Sequence, residues 1–306
     1  MKARLAVGLV LAALVTEAYS LDAVGSTVVN FDEFAVVRDG TTIFDDSFDR
    51  NTTLDGGSGT SLPSGTTFSD STPANYFVQG TIPLTTANNG QAQLNSANGN
   101  FIVQPVPPNL VPLIQNVNFS LQTGMNPTGP HTLTPANTFS ATGLFDFVVP
   151  PVVLGTYQFY LTNNTAIPGR FLHVRVRRLD TGTVLQLQWG DNVAGQSTII
   201  SEVALTPAEL AEPQLELEIS HDIANSDVLT ASYAFGSGNT LASFNGTLTP
   251  LGSTDSSTDV FTPTLNWVQA GFEASQPVPE PSSLAILAFV LGGLGVVRRY
   301  ATKSIG

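Results

Sequence analysis

The chain has 306 residues, a formal charge of −13 and no cysteine, which rules out disulfides, a thiol nucleophile and cysteine-based metal sites. Between residues 21 and 281 there are six arginines, no lysine and 23 acidic residues. That balance argues against nucleic acid and anionic lipid headgroups, because little offsets phosphate repulsion.

Residues 1–20 read as a signal peptide. Lys2 and Arg4 form a positive start, Leu5 to Val15 an apolar run, and Ala18 and Ser20 are small residues where signal peptidase cleaves. The run is too short for a stable spanning helix, so export is the expectation. Residues 21–276 then read as a single domain.

Asp45, Asp46 and Asp49 gather hard oxygens of the kind Ca²⁺ takes, which makes Asp45 and Asp46 the Ca²⁺ candidates. Their D-D-x-x-D spacing matches no Ca²⁺ loop, and strand alternation sends Asp45 and Asp46 to opposite faces. An exposed acidic edge is therefore expected in preference to a metal site. From Asp55 to Asn100 the sequence reads as long surface loops with strand-like pieces in "NYFVQG" and "QAQLNSANGN". "QPVPPNLVP", residues 104–112, is polyproline-like.

Period-2 patterning is clearest further on. Leu172, Val174 and Val176 alternate with His173, Arg175 and Arg177, then a turn at Asp180-Thr181-Gly182 leads into Leu185, Leu187 and Trp189. This predicts a hairpin with one buried and one wet face. The same register places Trp189 in the core, although a tryptophan followed by Gly190 and Asp191 is also a sugar-stacking candidate. "TPAELAE", residues 206–212, predicts one helical turn capped by Thr206 and Glu209. In "LELEIS" the outward Glu216 and Glu218 are candidate ligand or catalytic carboxylates. If their strand neighbours that of Arg175 and Arg177, they form a cross-strand charge ladder instead. A second hairpin is predicted around Gly236-Ser237-Gly238-Asn239. Many short strands with Gly, Asn and Pro turns imply an all-β, antiparallel β-sandwich.

"TTIFDDSFDRNTTL" at 41–54, the 171–189 hairpin, "LELEISHD" and "VLTASYAFGSG" together resemble the concanavalin A-like lectin/glucanase (laminin G-like) superfamily over residues 28–274. The resemblance implies a jelly roll and either carbohydrate binding or glycan cleavage. Glycan-cleaving members carry E-x-D-x-x-E on one strand. Here Glu216-Leu217-Glu218 has Glu in the middle position and His221 where the third acid belongs, so no catalytic constellation is complete.

The last thirty residues, 277–306, carry Pro279-Glu280-Pro281, an uncharged segment with a helix body of Leu284 to Val297, and a basic stop of Arg298 and Arg299. The apolar segment has near-membrane length, and the arginines keep its end cytoplasmic, so a C-terminal transmembrane helix with the domain outside is predicted. This order resembles the PEP-CTERM sorting signal. The resemblance implies a Gram-negative host, transient inner-membrane anchoring, processing by an exosortase, and delivery to the cell surface or extracellular matrix alongside exopolysaccharide. The resulting expectation is a non-enzymatic surface protein without cofactor that binds carbohydrate, with an exported glycan hydrolase or lyase as the alternative.

Overall fold

The computed structural model describes residues 29–48, 60–80, 91–95, 100–104, 114–121, 125, 129–151, 153–163, 169–191, 194–225, 227–261 and 266–277. The signal peptide, Asp49 and the tail from Val278 onward, with its sorting motif and predicted helix, lie outside these residues. The first strands in chain order are β1 (Val29–Arg38), β2 (Thr41–Asp46), β3 (Thr60–Thr67), β4 (Pro73–Gly80), β5 (Gln91–Asn95), β6 (Asn100–Gln104), β7 (Ile114–Leu121) and β8 (Phe139–Asp146). They are followed by β9 (Thr156–Thr162), β10 (Arg170–Leu179), β11 (Gly182–Asp191), β12 (Gln196–Ala204), β13 (Gln214–His221), β14 (Val228–Gly236), β15 (Thr249–Asp255) and β16 (Gln269–Pro277).

Two antiparallel sheets result. The first runs β15-β14-β13-β8-β1-β6-β5, with β2 on the C-terminal half of β1, and the second runs β12-β11-β10-β9-β16-β7-β4-β3. Alternation along each strand supplies the inner faces. Leu172, Val174 and Val176 of β10 and Leu215, Leu217 and Ile219 of β13 are fully buried. Each such side chain contributes roughly 1.5–3 kcal/mol relative to exposure. Aromatic rings join the sheets: Phe31 lies 4.1 Å from Phe272, and Phe34 lies 5.6 Å from Phe159, centroid to centroid. The architecture is an all-β sandwich with its core between the sheets.

A register shift between Phe31 and Glu33 sends Phe31 and Phe34 inward and leaves Asp32 and Glu33 together on the outer side. The 171–189 hairpin and the strand over "LELEIS" form where the alternation puts them. The Thr206 turn is a short 3₁₀ segment, Glu209–Ala211. Its capping pair is reciprocal, with Thr206 N–H donating to Glu209 Oε2 at 2.7 Å and Glu209 N–H to Thr206 Oγ1 at 3.3 Å.

Two expectations are corrected. Residues 60–104 hold four ladder strands, β3 to β6: the strand-like pieces in "NYFVQG" and "QAQLNSANGN" lie on β4 and β5 as expected, whereas β3 stands where Pro/Gly-rich sequence read as loop. Ser64 is fully buried and donates to the Ala74 carbonyl at 2.7 Å, replacing ladder bonds lost at the irregularity between Pro63 and Thr67. The second hairpin is no tight turn either. Residues 237–248 form a long loop between β14 and β15, organised by its own bonds between Ser237 and Asn245 and between Thr240 and Ser243. Its Leu241 N–H reaches Glu33 Oε2 at 2.7 Å, so the loop folds back over the outer face of the first sheet.

Candidate functional site

The outer face of the second sheet carries a straight row of polar side chains across five strands. Pairing register lines up Glu202 (β12), Gln186 (β11), Arg175 (β10), Gln158 (β9) and Glu273 (β16). Gln186 accepts from Arg175 Nε at 2.8 Å and donates to Glu202, while Gln158 donates to Glu273 Oε2 at 2.7 Å. Gln158, Gln186 and Glu273 are all buried, so these bonds fix the planar groups before any ligand arrives. Burial, together with the Arg177 charge, holds the Arg175 guanidinium down at about 10, while Glu273 and Glu202 pull in the opposite direction.

One step along the strands, the row becomes aromatic. The Phe171 ring stacks on His173 at 4.1 Å and 24°, and His173 in turn lies 5.5 Å from Tyr160. Gly190 is the cross-strand partner of Phe171, and a Cβ built on it would fall 2.0 Å from Phe171 Cζ. The ring therefore lies flat across β11, where only glycine leaves room. Burial first, then the charge of Arg175, hold His173 well below its usual range, so its imidazole is neutral near pH 7. Phe171, His173, Arg175, Arg177, Gln158 and Glu273 line one open cleft of about 470 Å³.

Glu216 and Glu218 stand on the outer face of the other sheet. Their register neighbours are Leu144 and Ala234, and Thr142 and Ser232. The expected ladder with Arg175 and Arg177 does not form, because β10 pairs with β9 and β11 and the two strands belong to different sheets. Burial raises both carboxyls. The Glu218 charge adds to the rise at Glu216, and a bond from Thr142 counters it at Glu218. Glu218 lines a second cleft of about 400 Å³ with Ser140, Ser220 and Thr230. His221 turns inward, its Nδ1 lying 2.6 Å from the Asn137 carbonyl.

Near them lies an acidic pair. Asn30 Nδ2 donates to Asp146 and Gln214 Nε2 donates to Asp32, at 2.9 and 2.6 Å. Burial and then the Asp146 charge raise Asp32 to about 7.

Trp189 points to the inner side and packs against the core, its Nε1 donating to the Asp259 carbonyl. Asp45 is exposed and Asp46 is buried. Asp46 accepts from Tyr76 Oη at 2.7 Å and from the Phe48 N–H at 2.9 Å, so both of its oxygens serve the fold. Among the described residues, no group of three or more His, Asp and Glu side chains is placed to hold a metal ion.

Sequence reading did not single out Phe171, Gly190, Gln158, Gln186 or Glu273. Gly190 offered the one local signal, a glycine inside an alternating strand, which marks a close approach from a neighbour. The others sit on strands distant in sequence, and only pairing brings them together.

No protein-family model matches the chain, and no curated protein matches it. Among solved structures it is similar to the CBM2 module of the evolved Dit of Lactobacillus casei BL23 phage J-1, at 12% identity and TM-score 0.38, covering 82% of this chain and 90% of that one. The basic winged bean lectin, solved with Tn-antigen, gives 12% identity and TM-score 0.36 over 83% and 90% of the two chains. Lectin II from Ulex europaeus gives 12% and 0.36 over 66% and 85%. Likenesses of this size carry nothing about a ligand or site, which rest on the geometry alone.

Proposed function

We propose that this is an exported surface or matrix protein whose β-sandwich, residues 21–276, binds extracellular polysaccharide on the outer face of the second sheet without cleaving it. The observation that carries this reading is the cleft itself. Planar amide, carboxylate and guanidinium groups, fixed by one another, lie beside the flat Phe171 ring. A sugar presents hydroxyls at its edge and C–H groups on its face, and such a surface meets both with little ordering cost. Delivery rests on the two ends of the sequence. Signal peptidase acts on residues 1–20, and an exosortase of a Gram-negative host recognises Pro279-Glu280-Pro281 after transient anchoring through Leu284 to Val297 and the stop at Arg298 and Arg299.

The alternative is an exported glycan hydrolase or lyase. Its support is that Glu216 and Glu218 share an outer face and both carboxyls are raised. Against it, the position where a third acid belongs holds the inward-facing His221. One experiment separates the two: incubate the full-length chain, in mild detergent, with the exopolysaccharide of the producing bacterium. The expected outcome is co-sedimentation without new reducing ends. New reducing ends that vanish in Glu216→Gln establish the hydrolase, and loss of co-sedimentation removes the binding reading.

A further inference from the structure

We propose that the cleft on the second sheet takes a carboxylate-bearing polysaccharide, a uronate-type polymer, with Arg177 and Arg175 receiving its carboxylates. This inference rests on reading that face as a polysaccharide site. The argument starts from the scarcity of cations: six arginines and no lysine stand against 23 acidic residues between positions 21 and 281. Four of the six, Arg170, Arg175, Arg177 and Arg178, lie on β10.

Three of the arginines hold the fold together. Arg38 donates Nη1 to the carbonyls of Pro130 and Thr132, and Arg178 donates Nη1 to those of Pro150 and Pro151. Arg170 pairs with Asp191 at 3.2 Å. Arg50 lies outside the described residues. Among the described residues Arg175 makes one bond, from Nε to Gln186, which leaves its terminal nitrogens for the cleft. Arg177 makes no hydrogen bond or ion pair among the described residues, and its Nε is buried without an acceptor. Its register neighbours, Thr156 and Val184, bring no charge.

The carboxylates on the same face offset the charge of Arg175 only in part and make no ion pair with either guanidinium among the described residues. Gln158 and Gln186 stand between Arg175 and the acids Glu273 and Glu202, and engage those acids themselves. Two half-buried guanidiniums two residues apart on one strand, about 7 Å, are left to repel each other. A bound carboxylate relieves that repulsion, and the guanidinium fork matches it through two parallel bonds. The strand from Phe171 to Arg177 spans about 20 Å, long enough for several sugar rings. Elsewhere the acidic surface repels an anionic polymer, which steers its docking to this strip.

Affinity electrophoresis or calorimetry of the full-length chain in mild detergent tests this, with polygalacturonate and its fully methyl-esterified form as probes. The expected result is binding of polygalacturonate at least tenfold tighter than its ester, weakening as salt rises. Arg177→Gln should lose that tenfold preference, and Arg177→Lys should keep part of it. Thermal melting of both variants checks folding, and a preference lost in Arg177→Gln but retained in an equally stable Arg177→Lys excludes a folding defect. If polygalacturonate is held no better than its ester, or if well-folded Arg177→Gln keeps the full preference, the inference is overturned. Co-sedimentation with the host exopolysaccharide stands or falls separately, so a neutral-glycan binder is told apart from a protein that binds no polysaccharide.

Discussion

The Phe171 ring lies flat on Gly190, close enough that a Cβ at position 190 would sit 2.0 Å from Cζ. The contact crosses from β10 to β11 and fixes the aromatic end of the cleft. Gly190→Ala is therefore expected to lift the ring off the sheet without breaking a backbone bond. Binding to polysaccharide should weaken as much in Gly190→Ala as in Phe171→Ala, with a stability cost of about 1 kcal/mol for the glycine variant. Binding isotherms beside urea melts check this. A Gly190→Ala protein with intact binding shows that the ring is not part of the site.

Gln186 is 1% exposed and bonded on both sides, to Arg175 and to Glu202. Gln186→Met keeps the volume but strands a buried guanidinium nitrogen and a carboxylate. The expected cost is about 1–3 kcal/mol, read from the urea midpoint at an unchanged m-value. A neutral result means that Arg175 finds another partner at once.

Asp32, Glu216 and Glu218 all have raised carboxyls on the outer side of the first sheet, each with burial as the largest cause. For an acid raised in the folded state, that state holds its proton more tightly than the unfolded chain does. Its stabilising contribution is full below the unfolded value, about 4, and is lost as pH rises through the folded value. For Asp32 that window runs from about 4 to about 7. Melting temperature is thus expected to fall between about pH 6.5 and pH 8, above the range in which the buried, neutral His173 contributes the opposite slope. Asp32→Asn keeps an acceptor for Gln214 and gives Asp146 a donor. It should flatten the fall and raise the pH 8 melting temperature by roughly 3–6 °C. A melting temperature that instead climbs across this window contradicts the raised carboxyls.

The sorting reading of the tail has its own measurement. Mass spectrometry of the mature protein from wild-type cells is expected to find Arg298 and Arg299 gone. Replacement of Pro279-Glu280-Pro281 by alanines should retain them in the membrane fraction. Arginines still attached in wild-type protein mean permanent anchoring.

The sequence alone determined the strand class and the sides of individual strands. Period 2 is a property of the extended backbone, so Leu172, Val174 and Val176 had to face one way and His173, Arg175 and Arg177 the other, wherever the strand went. The Thr206–Glu209 cap was equally legible, because both partners lie within one turn. Tertiary structure alone decided which strands became neighbours. Glu216 and Glu218 suit Arg175 and Arg177 by charge and spacing, yet β13 pairs with β8 and β14 in one sheet while β10 pairs with β9 and β11 in the other. Packing of inner-face rings such as Phe31 on Phe272 outweighs an exposed ion pair worth about 0–1 kcal/mol. That assignment leaves the arginines facing outward beside glutamines and an aromatic ring, and so makes them available to a ligand.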